Sequence, residues 1–98
     1  MKASVRVRLT PSAERDLEDI EIFISADNPG AAIETVLGII DSIQILADHP
    51  EVGRSGRIEG TREYVVPGTS FIAAYRITSD QIEVLRVLHG AREWPSRV

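Results

Sequence analysis

Residues 62–89 read REYVVPGTSFIAAYRITSDQIEVLRVLH, and this stretch decides the fold. Three runs, REYVV, FIAAYRI and IEVLRVL, are rich in the β-branched and aromatic residues that favour extended backbone. Between the first two, Pro67 and Gly68 stand where a type II turn wants proline and glycine. TSDQ supplies the second turn. Consecutive strands joined this tightly form an antiparallel meander. Arg86 interrupts the third run. Its guanidinium must reach solvent, a carboxylate or a ligand, because burying it unpaired is costly. Glu63 across the sheet and the chain's own end are the candidate structural partners.

Upstream, ASVRVRL alternates in period two, with Val5, Val7 and Leu9 opposite Arg6 and Arg8, which predicts a half-buried strand over residues 5–9. Thr10 and Pro11 then read as helix N-cap and first helical residue. Ala13, Leu17, Ile20 and Ile24 follow at helical spacing, with Glu14, Glu18, Asp19 and Glu21 outside. Asn28 and Pro29 open a second helix, expected over 29–49 until Pro50 stops it. Its apolar stripe (Ile33, Val36, Leu37, Ile40, Ile43, Ala47) is widened by Ile39, Ile45 and Leu46 beyond what one packing neighbour requires. EVGRSGRIEGT is a loop by its glycines. The order β-α-α-β-β-β predicts one α+β domain over 1–98, a helical hairpin packed on a small, mainly antiparallel sheet.

Composition narrows the chemistry. The 98 residues carry a net charge of −4 and no cysteine, so neither a disulfide framework nor a thiolate metal site is available. No clustered His/Asp/Glu spacing of the metal-binding kind is present, and neither a metal nor another cofactor is expected. GRSGRIEG leads into a strand, so it is not a P-loop. No long apolar run follows Lys2 and nothing approaches the roughly 20 apolar residues of a membrane span, so a cytoplasmic protein without membrane contact is expected. Four basic and nine acidic residues precede Pro50; seven arginines and six acids follow from there. That balance argues against direct nucleic-acid binding. What remains is a set of arginines with His89 and Trp94. A metal-free ribonuclease could use such a set for phosphorane stabilisation and proton exchange. A protein-binding surface could equally use it, since Trp and Arg are favoured anchors.

HPEVGRSGRIEGTREYVVPGTSFIAAYRI (49–77), followed by IEVLRVLHGAREWP (82–95), resembles the RelE/ParE superfamily of toxins from type II toxin–antitoxin systems. LTPSAERDLEDIEIFI (9–24) is similar to that family's first helix, so the resemblance spans nearly the whole chain. It implies a toxin of growth arrest and plasmid stabilisation, neutralised by a cognate antitoxin. RelE-like members cleave mRNA on the ribosome without metal; ParE-like members inhibit DNA gyrase. The ribonuclease branch commonly places an arginine three residues before the tyrosine matching Tyr75, another directly after the residue matching His89, and a tyrosine five residues after it. Here those positions hold Ile72, Gly90 and Trp94. The resemblance therefore implies the ParE branch and gyrase as target. The ribonuclease alternative would draw on Arg62, Arg86, His89 and Arg92, and a non-toxic binding module of the same fold is a third reading.

For individual residues, two readings stand side by side. Arg54, Arg57, Arg92 and Trp94 are the candidates for target contact; against this, Arg54 and Arg57 could be a solvated loop and Trp94 could cover the core edge. His89 could be a plain hydrogen-bonded histidine. Ile39, Ile45 and Leu46 are the candidates for cover by an antitoxin.

Overall fold

The computed structural model describes residues 5–96. Strand β1 (Arg6–Leu9) is followed by helices α1 (Pro11–Ser25) and α2 (Pro29–Ile43), then by a 3₁₀ turn (Gln44–Ala47). Strands β2 (Arg54–Ser55), β3 (Arg62–Val65), β4 (Phe71–Ile77) and β5 (Gln81–His89) complete the chain. The sheet order is β1-β5-β4-β3-β2, with β1 parallel to β5 and every other pair antiparallel. The expected α+β hairpin-on-sheet architecture is present. Ala3 and Ser4, which open the alternating run ASVRVRL, lie outside the described residues, as does the chain end considered for Arg86.

Both helix starts follow from their caps. The Thr10 hydroxyl accepts from the Ala13 amide (3.2 Å) and Asn28 Oδ1 accepts from the Ala31 amide (3.1 Å), with proline first in each helix. The type II turn is also as read: Gly68 has φ of 76° and the Thr69 amide donates to the Val66 carbonyl. The second helix departs from expectation. Regular α-structure stops at Ile43 and tightens into the 3₁₀ turn, well short of residue 49. The predicted loop contains the two-residue strand β2, paired to β3.

Ala13, Leu17 and Ile20 of α1, Ile39, Ile43 and Leu46 of the second helical segment, and Ala73, Tyr75, Ile82, Val84 and Val87 of the sheet form the core. Strict alternation would send Val84 and Val87 to opposite faces. A register step between Ala74 and Tyr75, where Ala74 faces Arg86 but Tyr75 faces Val84, leaves Leu85 as the extra residue and brings both valines inward.

Helix α2 and its turn, Pro29–Ala47, run for 19 residues and contain an 18-residue window of mean hydropathy 1.5, which corrects the expectation that nothing approaches spanning length. One side of it packs into the core, where Ala32, Ile39, Ile43 and Leu46 are buried, while Glu34 and Asp41 lie exposed. Two candidates for antitoxin cover are thereby withdrawn. Ile39 and Leu46 have 0 % exposure, whereas Ile45, in the tightened turn, is 41 % exposed. The wide stripe is wide because it serves both the core and an outer surface. Its outer part, Ile33, Leu37 and Ile45, is exposed, as are Ile22 and Phe23 of α1.

Candidate functional site: a latched basic corner

Strand β5 ends at His89, and the chain winds around that residue. The amides of Ala91 and Arg92 donate to His89 Nδ1 and to its carbonyl, each at 3.1 Å. The carbonyl also accepts from Trp94 Nε1 at 3.2 Å. Gly90 permits the turn: a Cβ there would sit 3.1 Å from the Ile72 side chain, and its amide donates to the Ser70 carbonyl. The His89 ring meets Phe71 edge-on at 5.7 Å. His89 is thus exposed and hydrogen-bonded.

The returning Trp94 indole lies over Arg57, whose Cζ is 4.0 Å from the ring centroid. Trp94 therefore packs on the β2–β3 arm. Arg57 is itself gripped from below by Glu63, a carboxylate only 3 % exposed. Glu63 accepts from the Arg57 amide (2.8 Å), Arg57 Nε (2.9 Å) and Nη2 (3.3 Å), and from Arg54 Nε (3.3 Å) and Nη2 (3.1 Å). Neither arginine is a loose solvated side chain, although both keep a face to water, with side chains 58 % and 39 % exposed for Arg54 and Arg57.

Burial alone would raise the Glu63 carboxyl, but the hydrogen bonds from Arg57 and Arg54 outweigh it and hold the group below its ordinary value of 4.5. A depressed folded-state value means that the carboxylate's stabilisation is complete above the unfolded value. It is lost as pH falls through the folded one. The thermal midpoint is expected to drop below about pH 4.5, and Glu63→Gln to shallow that drop. Scanning calorimetry at neutral and acid pH on both proteins checks it; parallel pH profiles would contradict the assignment.

The arm is held to the sheet by Tyr75. Its hydroxyl donates to the Pro50 carbonyl (2.7 Å) and accepts from the Gly53 amide (2.9 Å). A Cβ on Gly53 would fall 2.6 Å from that hydroxyl, so only glycine fits. Arg62 Nη1 donates to the carbonyls of Gly53 (2.8 Å) and Glu51 (3.3 Å), which makes it a strut of the same arm.

Arg86 is engaged elsewhere. Its expected partners were Glu63 or the chain end; instead Nε and Nη2 donate to Asp16 of α1 at 2.7 and 2.9 Å. Glu63 is already occupied by the arm, and β5 passes directly beside α1. Asp16 also accepts from the Val87 amide at 2.9 Å, on the stretch of β5 beyond its pairing with β1. This partnership was missed because Asp16 sits among outward acids. The available signal was its spacing, three after Ala13 and four before Ile20, on the buried side of α1.

Of the four residues a ribonuclease would draw on, only His89 and Arg92 come together. They line a cleft of about 350 Å³ together with Asp16, Asp19, Ile20, Phe23 and Phe71. Arg62 Nη1 donates to backbone carbonyls, and Arg86 Nε and Nη2 donate to Asp16. The target-contact candidates are better gathered: Arg54, Arg57 and Trp94 share one corner, and Arg92 lies in the segment that returns Trp94 to it.

The sequence model described as "ParE toxin of type II toxin-antitoxin system, parDE" matches residues 7–94. A relative from Sinorhizobium fredii (strain NBRC 101917 / NGR234), named "Putative toxin Y4kP", is 41% identical over 90 residues, 92% of this chain and 93% of the relative. A chain from the chromosomal ParDE system of P. aeruginosa is similar in fold, with TM-score 0.82 at 22% identity over 88% of this chain and 96% of that one. A chain of the toxin–antitoxin complex RelBE2 from Mycobacterium tuberculosis is more distant in shape, with TM-score 0.54 at 28% identity over 88% and 98%. Because the family's sequence model matches nearly the full length, residues 7–94, this chain belongs to the ParE toxin family of type II toxin–antitoxin systems.

Proposed function

We propose that the chain arrests growth in the cytoplasm by ParE-like inhibition of DNA gyrase, and that a cognate antitoxin neutralises it. The observation that carries this reading is the disposition of the arginines. Phosphoryl chemistry needs donors free to follow charge as it develops on the phosphate. Arg86 is committed to Asp16, Arg62 to backbone carbonyls, and Arg54 and Arg57 to Glu63. Where the ribonuclease branch carries further groups, this chain has a buried isoleucine, a close-packed glycine and an indole. An indole cannot serve as a phenolic acid or base. A stacked Trp and Arg with satisfied hydrogen bonds is instead the composition of a protein-contact hot spot.

Support for the antitoxin comes from the apolar surface that the helical hairpin leaves uncovered. Ile22, Phe23, Ile33, Leu37 and Ile45 are exposed large side chains on one small domain. Large apolar side chains left exposed in this number are candidates for cover by a partner.

The deciding experiment is a gyrase supercoiling assay beside a ribosome-dependent mRNA cleavage assay with the same purified protein. Supercoiling inhibition is expected, with growth arrest accompanied by a DNA-damage response and no mRNA cuts. His89→Ala should leave toxicity near the parent level, while Trp94→Ala or Arg92→Ala should reduce it. Ribosome-dependent mRNA cleavage that His89→Ala abolishes would overturn the gyrase reading in favour of a metal-free ribonuclease. Harmless overexpression without any antitoxin would favour a non-toxic binding module.

A further inference from the structure

Glu63 does more than neutralise a buried position. Its two carboxylate oxygens accept five hydrogen bonds from two arginines six and nine residues upstream, three of them from Arg57. Donation by Nε and Nη2 of Arg57 to the two oxygens of one carboxylate fixes the guanidinium as a plane, not merely as a charge. The Trp94 ring lies over the Cζ of that same plane at 4.0 Å. At the edge of the ring, Trp94 Nε1 donates to the His89 carbonyl. Carboxylate, guanidinium, indole and strand end therefore form one unbroken chain of contacts from β3 to the C-terminal segment.

We infer that Glu63 is a positioning residue: by clamping Arg57 it locks the returning C-terminal segment, through Trp94, onto the β2–β3 arm as a single presented surface. The partner for which this surface is set up is the one argued above, so the proposal rests on that reading for its purpose, though not for its geometry. Without the clamp, Arg57 keeps its charge but loses its fixed plane. Trp94 then retains only the bond to the His89 carbonyl and swings with its segment.

The test exploits a property of the composition: Trp94 is the only tryptophan, so the intrinsic emission of the full chain reports this contact directly. Arg57→Ala and Glu63→Gln are each expected to red-shift that emission and raise its acrylamide quenching. A half-exposed cation–π contact shifts the docked-to-free ratio about two- to fivefold when lost. The two changes act on one linkage, so the double variant should give no more than the larger single effect. Arg57→Lys serves if Glu63→Gln folds poorly, since it keeps charge at the site but cannot offer the paired donors or the flat face.

A folded Glu63→Gln or Arg57→Lys protein with parental emission and quenching would overturn the latch, because a purely fold-supporting carboxylate would move the melting temperature and not the indole. Supercoiling inhibition by the same variants separates the two claims. Altered emission with weakened inhibition supports both. Altered emission with undiminished inhibition keeps the latch and rejects this corner as the gyrase-facing surface.

Discussion

Asp16→Ala is expected to destabilise the fold by up to about 3–5 kcal/mol, the cost of removing one partner from a buried, hydrogen-bonded ion pair, with the Arg86 side chain keeping 20 % exposure against 6 % for Asp16. The carboxylate is 5 % exposed and accepts from Arg86 Nε, Arg86 Nη2 and the Val87 amide. Truncation strands a guanidinium that cannot be deprotonated, and it orphans a strand amide as well. Domains of this size have total stabilities of roughly 5–15 kcal/mol, so the variant should sit close to unfolding at ambient temperature. Arg86→Ala should be comparably damaging from the other side. Replacing both residues by apolar ones of similar volume should recover much of the loss, because the pair's attraction is largely offset by its desolvation. Urea unfolding of the four proteins measures this. A loss below about 1 kcal/mol for Asp16→Ala would mean that the contact is no better than a surface ion pair.

The second large effect contrasts two neighbours. Leu46→Asp should abolish folding, because it sets an unpaired carboxylate where the parent side chain has 0 % exposure within the core cluster. Ile45→Asp, one residue earlier, should leave stability within about 1 kcal/mol of the parent, as exposed substitutions do. It should nevertheless weaken antitoxin binding if the outer apolar stripe is covered in the complex. Circular dichroism separates the two variants, and titration calorimetry of Ile45→Asp with the antitoxin reads the interface. A Leu46→Asp protein with a parental spectrum would place that residue outside the core. Unchanged affinity for Ile45→Asp would move the interface to other exposed residues such as Phe23 or Leu37.

These two cases also mark where sequence ceased to be informative. Turns and caps are local, and they were legible: Pro67-Gly68, Thr10-Pro11 and Asn28-Pro29 all sit where the chain uses them. Hydrophobic periodicity located the meander and both helices for the same reason. The tightening of the chain at Gln44 leaves no composition mark, so the sides of Ile45 and Leu46 could not be told apart from spacing measured on a regular helix. The two-residue β2 is too short to alternate. The partners of Arg86 and Arg57 depend on how distant segments pass one another. Seventy residues separate Asp16 from Arg86, and Trp94 reaches Arg57 only because the chain winds round His89.

The parallel pairing of β1 with β5 has a consequence for the order of events during synthesis. Arg6 through Leu9 align with Gln81 through Val84, and the Thr10 hydroxyl donates to the carbonyls of Val84 and Leu85. Strand β1 therefore leaves the ribosome well before its partner β5 and waits for it. At roughly 5–20 residues per second, that is an interval of several seconds. Throughout it α1 has neither its cap's second anchor nor the partner of Asp16, and the helical hairpin has no complete sheet beneath it. Contacts this distant in sequence are also the slow ones to close. The nascent chain is thus a hairpin of helices seeking cover, and the finished domain exists only once its C-terminal strand is free.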